Sequence, residues 1–343
     1  MLTILCKFAT GAIGKGVGRK QREIGGRLLW SRYGFCVQTV WLCINNLRCM
    51  TNRKLRFALI GNEYQARKSV AIHRILDYLK KREAEVFIDR SYFNFLTQDQ
   101  HLDIDCSEVF DDDDFEADFV VSLGGDGTFL KAADRVVCRG IPILGVNMGR
   151  LGFLADVLPT EIESALNEIY NGTYHLEAHS VIKIEVDGEE ISGSPYALND
   201  IALLKRDNAS MISIRCSING QFLVTYQADG LIISTPTGST AYNLSNGGPI
   251  IVPSAHNLCI TPVAPHSLNV RPIVINDDCV IDIEVESRNH NFLAAIDGRS
   301  EKLRQGSRIR IMKAPYQIQI VKQQATHYFS TLRDKLMWGV DQR

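Results

Sequence analysis

The chain lacks an excess of charge of either sign. Its 343 residues carry 38 Lys and Arg against 39 Asp and Glu, so the formal net charge is -1 at pH 7. A protein whose main partner is nucleic acid or an anionic membrane normally carries a basic surplus. The charge balance therefore favours a protein with no nucleic-acid partner and no membrane partner.

Paired cysteines are also missing. The chain has 9 cysteines, none of them in a Cys-x-x-Cys pair. This odd number, scattered along a large chain, fits neither a disulfide framework nor a zinc site and predicts a reduced, cytoplasmic protein. A hydrophobic content of 45% over this length allows about two globular domains.

Acidic residues are almost absent before residue 50, where Glu23 stands alone among eight Lys and Arg. No apolar run in this segment reaches the roughly 20 residues needed to span a bilayer. We predict that residues 1–53 are a basic extension, disordered or not native, with Met50 as an alternative start and a transit peptide as another reading. A P-loop-like stretch ends at Gly16 instead of the required Ser or Thr, so we reject it.

Hydrophobic patterning divides the remainder into two domains. Alternating strands and helices over residues 54–158 predict an α/β domain with a doubly wound, Rossmann-like parallel sheet. Short alternating strands with hairpin signals at Asp187-Gly188 and Asn219-Gly220 predict an all-β antiparallel sandwich over residues 159–325. Residues 326–343 would form a C-terminal helix that could pack back on the α/β domain.

One stretch of the first domain suggests chemistry. The buried strand at residues 119–123 runs into Gly124-Gly125-Asp126-Gly127-Thr128 and then into helix-forming sequence. A glycine loop at a helix N-terminus offers free backbone N–H groups to a phosphate. Because the Asp126 carboxylate would repel a phosphate, it must serve a metal ion, a sugar hydroxyl or a proton transfer.

Two further stretches are unusual for structural strands. Asn199-Asp200 lies between strand segments, where a turn or capping pair is the plain alternative. Asp229 to Ser245 opens from a strand into a hydroxyl-rich segment, which suits a ribose, phosphate or adenine edge but could also be an ordinary loop. The acidic run Asp111 to Asp114 is better read as a solvated loop than as a metal site.

Taken together, these motifs resemble those of bacterial NAD kinases. The resemblance rests on Gly124 to Thr128, Asn147 to Phe153, Asn199-Asp200, the Asp229 to Ser245 segment and Thr261 to His266, in that order along the chain. The GGDGT loop alone is shared with lipid kinases, whereas its combination with Thr-Pro-Thr-Gly-Ser-Thr-Ala-Tyr is far more specific. A lipid or sugar kinase and a non-catalytic NADP(H) sensor are the alternatives.

The resemblance implies ATP-dependent phosphorylation of the 2′-hydroxyl of the adenosine ribose of NAD, with Mg²⁺ or Mn²⁺. Asp126 would be the catalytic base, with metal binding as its alternative role. The substrate-binding residues for NAD and ATP would be Gly124, Gly125, Gly127, Lys131, Asn199, Asp200, Asp229, Thr240, Ala241, Tyr242, Asn243, Leu244 and Ser245. A homodimer or homotetramer is expected because relatives form them.

Two positions depart from the family pattern. Arg299 follows Asp297-Gly298 where many relatives have Gln, which puts its contact with the dinucleotide in doubt. Ser210 stands where some relatives have a basic residue or His near the substrate phosphate, so the preference between NAD and NADH and any feedback by NADP(H) stay open.

Overall fold

The computed structural model describes residues 54–62, 69–137, 139–149, 152–206, 211–288 and 290–339. The predictions for residues 1–53 and for Ser210 lie outside the described residues, as do Arg150 and Leu151 of the second glycine-punctuated turn.

The first half of the described chain is a parallel α/β domain. Its elements are β1 (Arg56–Gly61), α1 (Ser69–Lys81), β2 (Glu85–Asp89), α2 (Arg90–Asn94) with a π-helical turn at Phe95–Asp99, β3 (Glu108–Phe110), β4 (Phe119–Gly124), α3 (Asp126–Arg135), β5 (Ile143–Asn147) and α4 (Ile162–Asn171). The strands pair in the order β5-β4-β1-β2-β3, each pair parallel. The prediction of a doubly wound sheet is confirmed.

The strand order reverses direction between β1 and β4. From β1 the chain adds β2 and β3 on one side, then crosses to add β4 and β5 on the other. Ligands of open α/β sheets bind at such a switch point, beyond the carboxyl ends of the strands. The GGDGT loop follows β4 directly and therefore lies at this point.

Helix α4 packs with the first core. Ile162, Leu166 and Ile169 are buried in the same apolar cluster as residues of β1 and α1. The Tyr78 hydroxyl on α1 donates a hydrogen bond of 2.5 Å to Asn167 Oδ1 on α4. The boundary predicted after residue 158 thus falls before a helix that shares its core with the first domain.

The second half is an antiparallel β domain with a closing helix. Its elements are β6 (His175–Val186), β7 (Tyr196–Ala197), β8 (Asp200–Lys205), β9 (Ile212–Ile218), β10 (Gln221–Ala228), β11 (Gly230–Ser234), a 3₁₀ turn (Thr237–Thr240), α5 (Tyr242–Ser245), β12 (Asn257–Val263), β13 (Ile273–Asn276), β14 (Ile281–Glu286), β15 (Asn291–Ile296), β16 (Arg299–Arg304), β17 (Arg308–Lys322) and α6 (Tyr328–Leu336). None of the helices in the part of the chain that the structure describes is long and apolar enough to cross a membrane.

Two antiparallel layers enclose the second core. One layer has the order β13-β12-β11-β8-β15-β16, and the other contains β10, β9, β14, β17 and β6. Alternate residues of both layers, such as Ile214, Ile233 and Phe292, are fully buried in one cluster. This pattern of inward apolar and outward polar residues is that of a β-sandwich, and the predicted fold class is confirmed.

Strand β17 joins the two domains. The sequence predicts two short strands here, Ile309 to Ile311 and Tyr316 to Val321. The structure shows one strand of 15 residues, with a register shift between Lys313 and Gln317 where it pairs with β6. Its last third pairs in parallel with β5, Ile320 opposite Ile143, so one sheet runs through both domains.

Candidate active site

The GGDGT loop forms an open helix N-terminus. Gly125 precedes α3 in an extended conformation (φ -106°, ψ -168°) and caps the helix without a side chain. A Cβ added at Gly125 or Gly127 would meet nothing within 4 Å, and Gly127 is exposed. The loop therefore leaves room for an anion to approach the backbone of the first turn of α3.

The Asp126 carboxylate is bound by a neighbouring turn. Oδ2 accepts a hydrogen bond from the Phe153 backbone N–H at 3.0 Å, and Oδ1 accepts from the N–H groups of Leu154 and Ala155, each at 3.1 Å. The Lys335 ammonium on α6 donates to Oδ2 at 3.3 Å. These four donors fix the carboxylate in position at the start of α3.

A second carboxylate is held in the same way. The Asp297 oxygens accept hydrogen bonds from three consecutive backbone N–H groups, those of Leu198 at 2.7 Å, Asn199 at 2.8 Å and Asp200 at 3.1 Å. Asp297 can reach them because it sits at positive φ (47°), followed by Gly298 at 83°, in the tight turn between β15 and β16. The predicted substrate residues Asn199 and Asp200 are thereby fixed at the start of β8.

Burial raises the pKa values of both carboxyl groups. Burial raises the pKa of Asp297, although the three N–H donors oppose that rise. Burial and the adjacent Asp297 charge raise the pKa of Asp200 to about 7. Asp200 therefore carries a proton through much of the acidic range and can donate as well as accept a hydrogen bond near neutral pH.

The hydroxyl-rich segment is fastened to Asn199. The Thr235 backbone N–H donates to the Asn199 carbonyl at 2.9 Å, and the Thr235 hydroxyl donates to the Leu198 carbonyl at 2.5 Å. A Cβ at Gly238 would overlap the Asn199 backbone, so only glycine allows this close approach.

Two clefts bring the motifs together. One is lined by Phe153 and Leu154 of the turn that binds Asp126, by Thr237 and Thr240, and by Tyr328 of α6. The other, of about 230 Å³, is lined by Gly127 and Lys131 of α3 on one side and by Leu198, Gly298 and Arg299 on the other. The GGDGT helix thus shares a cleft with Leu198, which precedes Asn199-Asp200, whereas the hydroxyl-rich segment lines the other cleft with Phe153 and Leu154.

Some predicted residues lie elsewhere. Asp229 precedes Gly230, which pairs with Leu204, whereas Ser234 at the other end of β11 pairs with Asp200. Asp229 is therefore at the far end of that strand, where Lys205 binds its carboxylate at 2.7 Å.

The Asn243 side chain is turned into the protein interior. Its side chain is fully buried, donates to the Ser239 and Pro249 carbonyls at 3.2 Å and accepts from the Thr261 hydroxyl at 2.6 Å. Because every polar atom of the amide is used within the protein, Asn243 shapes the segment instead of lining a pocket. Its neighbours are accessible, with Tyr242 and Ser245 exposed and Thr240, Ala241 and Leu244 half-buried.

Charged residues singled out in the sequence are paired within the fold. Arg299 forms an ion pair with Asp134 and donates to the carbonyls of Ser194 and Tyr196. In the acidic run, Asp111 binds Arg90 and Asp113 binds Arg135. Among the described residues, no group of three or more His, Cys, Asp or Glu side chains could hold a metal ion.

The sequence reasoning missed several residues at the site. His179 on β6 is buried, its Nδ1 lies 2.8 Å from the Thr237 hydroxyl, and burial lowers its pKa. Lys322 and Asp156 form a buried ion pair of 2.6 Å beside it. The sequence offers two signals for this part of the site: the inward-facing positions of β6 and the glycine-punctuated turn that leads to Phe153. Neither signal indicates that Lys335 lies nearby.

Comparison with known proteins covers both domains. Residues 57–174 match the family model of the ATP-NAD kinase N-terminal domain, and residues 198–323 match that of the C-terminal domain. An NAD kinase of Bacteroides fragilis is 56% identical over 289 residues, which are 84% of this chain and 100% of that protein. An NAD kinase of Cytophaga hutchinsonii is 40% identical over 289 residues, 84% of this chain and 99% of that protein.

Solved structures share the fold. A yeast NADH kinase complexed with NADH superimposes with a TM-score of 0.76 at 23% identity, covering 85% of this chain and 90% of that one. An Archaeoglobus fulgidus NAD kinase in complex with ATP gives a TM-score of 0.65 at 26% identity, covering 82% and 99%. With the family models, the relatives and the architecture in agreement, the chain belongs to the ATP-NAD kinase family, enzymes that phosphorylate NAD with ATP.

Proposed function

We propose that this chain transfers the γ-phosphoryl group of ATP to the 2′-hydroxyl of the adenosine ribose of NAD, with Asp126 accepting the hydroxyl proton. The observation that carries the proposal is the position of Asp126 at the N-terminus of α3, beside the open backbone of Gly125 and Gly127. Phosphate groups and a general base are thereby adjacent, as an in-line transfer requires.

The second domain would deliver the ribose. Asn199 and Asp200 lie next to the cleft that Gly127 and Lys131 share with Leu198, and they would hold ribose hydroxyls. Lys131, one turn into α3, would offset phosphate charge. The exposed Tyr242 ring would stack on a base of the dinucleotide.

A divalent cation is the expected companion of ATP. The described side chains form no cluster of three acidic or nitrogen ligands, and the Asp126 oxygens already accept four hydrogen bonds. The residues present thus offer no dedicated metal cage. Mg²⁺ is commonly bound through one or two carboxylates together with substrate phosphates, so an ion carried in by ATP is consistent with this site.

The test is an assay with ATP, Mg²⁺ and NAD, in which NADP is detected with a dehydrogenase that accepts only NADP. We expect Asp126→Asn to reduce kcat by about 10²–10⁴-fold, because a general base contributes that much. NAD binding should be largely retained. The partly exposed Asp282, which pairs with Arg310 at 3.0 Å, provides the control substitution Asp282→Asn.

Near-normal turnover by Asp126→Asn would refute the role of Asp126. Phosphorylation of diacylglycerol, with no phosphorylation of NAD, would instead support the lipid kinase alternative. Tight NADP(H) binding without turnover by the unmodified chain would support the sensor.

We also propose that the chain assembles as a homodimer or homotetramer and functions in the cytoplasm. Leu268 is 87% exposed and Phe222 is 51% exposed, and burial of either side chain in a subunit contact would remove apolar surface from water. Light scattering during size-exclusion chromatography tests the assembly, since a monomeric mass would contradict it.

A further inference from the structure

The C-terminal helix α6 contributes to the site although it lies outside both segments that match the family models. Leu332 packs inward, and Tyr328 lies against the Phe153 ring with 6.5 Å between ring centroids. Tyr328 and Thr331 also line the cleft that contains Thr237 and Thr240. Helix α6 therefore forms a wall between the turn that binds Asp126 and the hydroxyl-rich segment.

Lys335 reaches Asp126 from this wall. Its ammonium lies 3.3 Å from Asp126 Oδ2 and 4.4 Å from the centre of the Phe153 ring. The Lys335 and Asp126 side chains are 28% and 30% exposed, so solvent reaches both members of the pair. A cation over an aromatic ring is held without being fully dehydrated, which leaves it free to exchange partners.

The Asp126 carboxylate has no acceptor site to spare. An ionised carboxylate offers about four lone-pair positions, and here four donors occupy them. Three are backbone N–H groups of residues 153–155, fixed by the fold. Lys335 is the longest of the four contacts and the one on a flexible side chain, so it is the donor that can leave.

We propose that Lys335 is an exchangeable partner of Asp126: it covers Oδ2 in the unliganded enzyme and moves to the phosphates of ATP when the substrates bind. The exchange vacates one acceptor site on Asp126 for the ribose hydroxyl. This inference rests on the proposed function of Asp126 as the base.

The exchange fits the balance of the transfer step. The ribose oxygen forms a bond to the γ-phosphorus while the bond from that phosphorus to the β,γ-bridging oxygen breaks, and ADP leaves. The hydroxyl proton passes to the vacated position on Asp126 Oδ2. The proton neutralises the Asp126 carboxylate that Lys335 has left, and Lys335, now beside the phosphates, offsets their negative charge during the transfer.

Three variants of the full chain test the exchange: Lys335→Met removes the charge, Lys335→Arg keeps it, and Arg333→Met removes a charge from an exposed position of the same helix. For Lys335→Met we expect kcat to fall about 30-fold and KM for ATP to rise about 10-fold, a typical cost for losing a transition-state charge contact. The dissociation constant for NAD without ATP, measured by calorimetry, should stay the same or decrease, because Oδ2 is then open.

Lys335→Arg should restore most of kcat, and Arg333→Met should behave like the unmodified chain. Weaker NAD binding by Lys335→Met, together with a lower melting temperature, would show a purely structural role and overturn the exchange. Unchanged kcat and KM in Lys335→Met, with Asp126→Asn inactive, would also overturn it while leaving the proposed function intact. An Asp126→Asn variant with near-normal activity would instead contradict the proposed function of Asp126 as the base.

Discussion

Replacing Asp200 by Asn should make the protein more stable at alkaline pH and less active. The Asp200 side chain is buried, with 6% of its surface exposed, and lies beside the Asp297 carboxylate. These surroundings disfavour its ionised form, whereas in the unfolded chain the carboxyl ionises freely. Asparagine has nearly the same shape and cannot ionise, so the substitution removes that difference between the two states.

The size of the effect follows from linkage. The pKa of Asp200 is about 7 in the folded protein against an ordinary value of 3.8. Between these values the unfolded carboxyl has lost its proton and the folded one has not, so stability falls as pH rises from about 4 to about 7. The free energy of unfolding falls by about 1.4 kcal/mol per pH unit over this range. The loss therefore reaches about 4 kcal/mol at pH values above the pKa of folded Asp200, and it is absent at pH values below the pKa of the unfolded carboxyl.

Urea unfolding of the unmodified chain and of Asp200→Asn near pH 5 and pH 8 measures this effect. The stability gain of the variant should be about 3 kcal/mol larger at the higher pH. Asp282→Asn is the control, because its exposed pair with Arg310 is worth less than about 1 kcal/mol. A stability difference between Asp200→Asn and the unmodified chain that does not depend on pH would refute the reasoning. A weaker affinity for NAD is expected alongside, since Asp200 is proposed to hold ribose hydroxyls.

Two further substitutions probe the supports of the site. Gly152→Ala should lower kcat about 10²-fold, because its Cβ would overlap Asp126 Oδ1 and small displacements of a catalytic group cost that much. Gly193→Ala, where a Cβ meets nothing within 4 Å, should leave turnover unchanged, and equal kinetics of the two would contradict the argument. Arg299→Met should leave KM for NAD within about twofold and lower unfolding stability by about 1 kcal/mol, because Arg299 binds Asp134 and two backbone carbonyls. A large rise in KM would instead place Arg299 on the dinucleotide.

Local patterns were sufficient to predict the fold class of the two domains. The buried β4 strand followed by the glycine loop reads directly from the sequence, because apolar runs and helix starts are local signals. The sequence predicts two short strands in place of β17, because the pairing of β17 with β6 and β5 depends on partners far away in the sequence.

The predicted site was less complete for the same reason. Asp126 was identified through its immediate neighbours, but its donors at residues 153–155 and Lys335 come from distant segments. Asp297 likewise serves Leu198 to Asp200, about a hundred residues away along the chain. Asn243 belongs to a motif whose pattern does not distinguish side chains that face a ligand from those that hold the loop together.

The continuous sheet through β17 has a consequence for motion. Because Ile320 pairs with Ile143 within the backbone ladder, the two domains cannot rotate about a free hinge without breaking hydrogen bonds of that ladder. We therefore expect the conformational changes on substrate binding to be rearrangements of side chains and loops. Amides of β4, β5 and β17 should exchange with solvent deuterium only by global opening, as one cooperative unit.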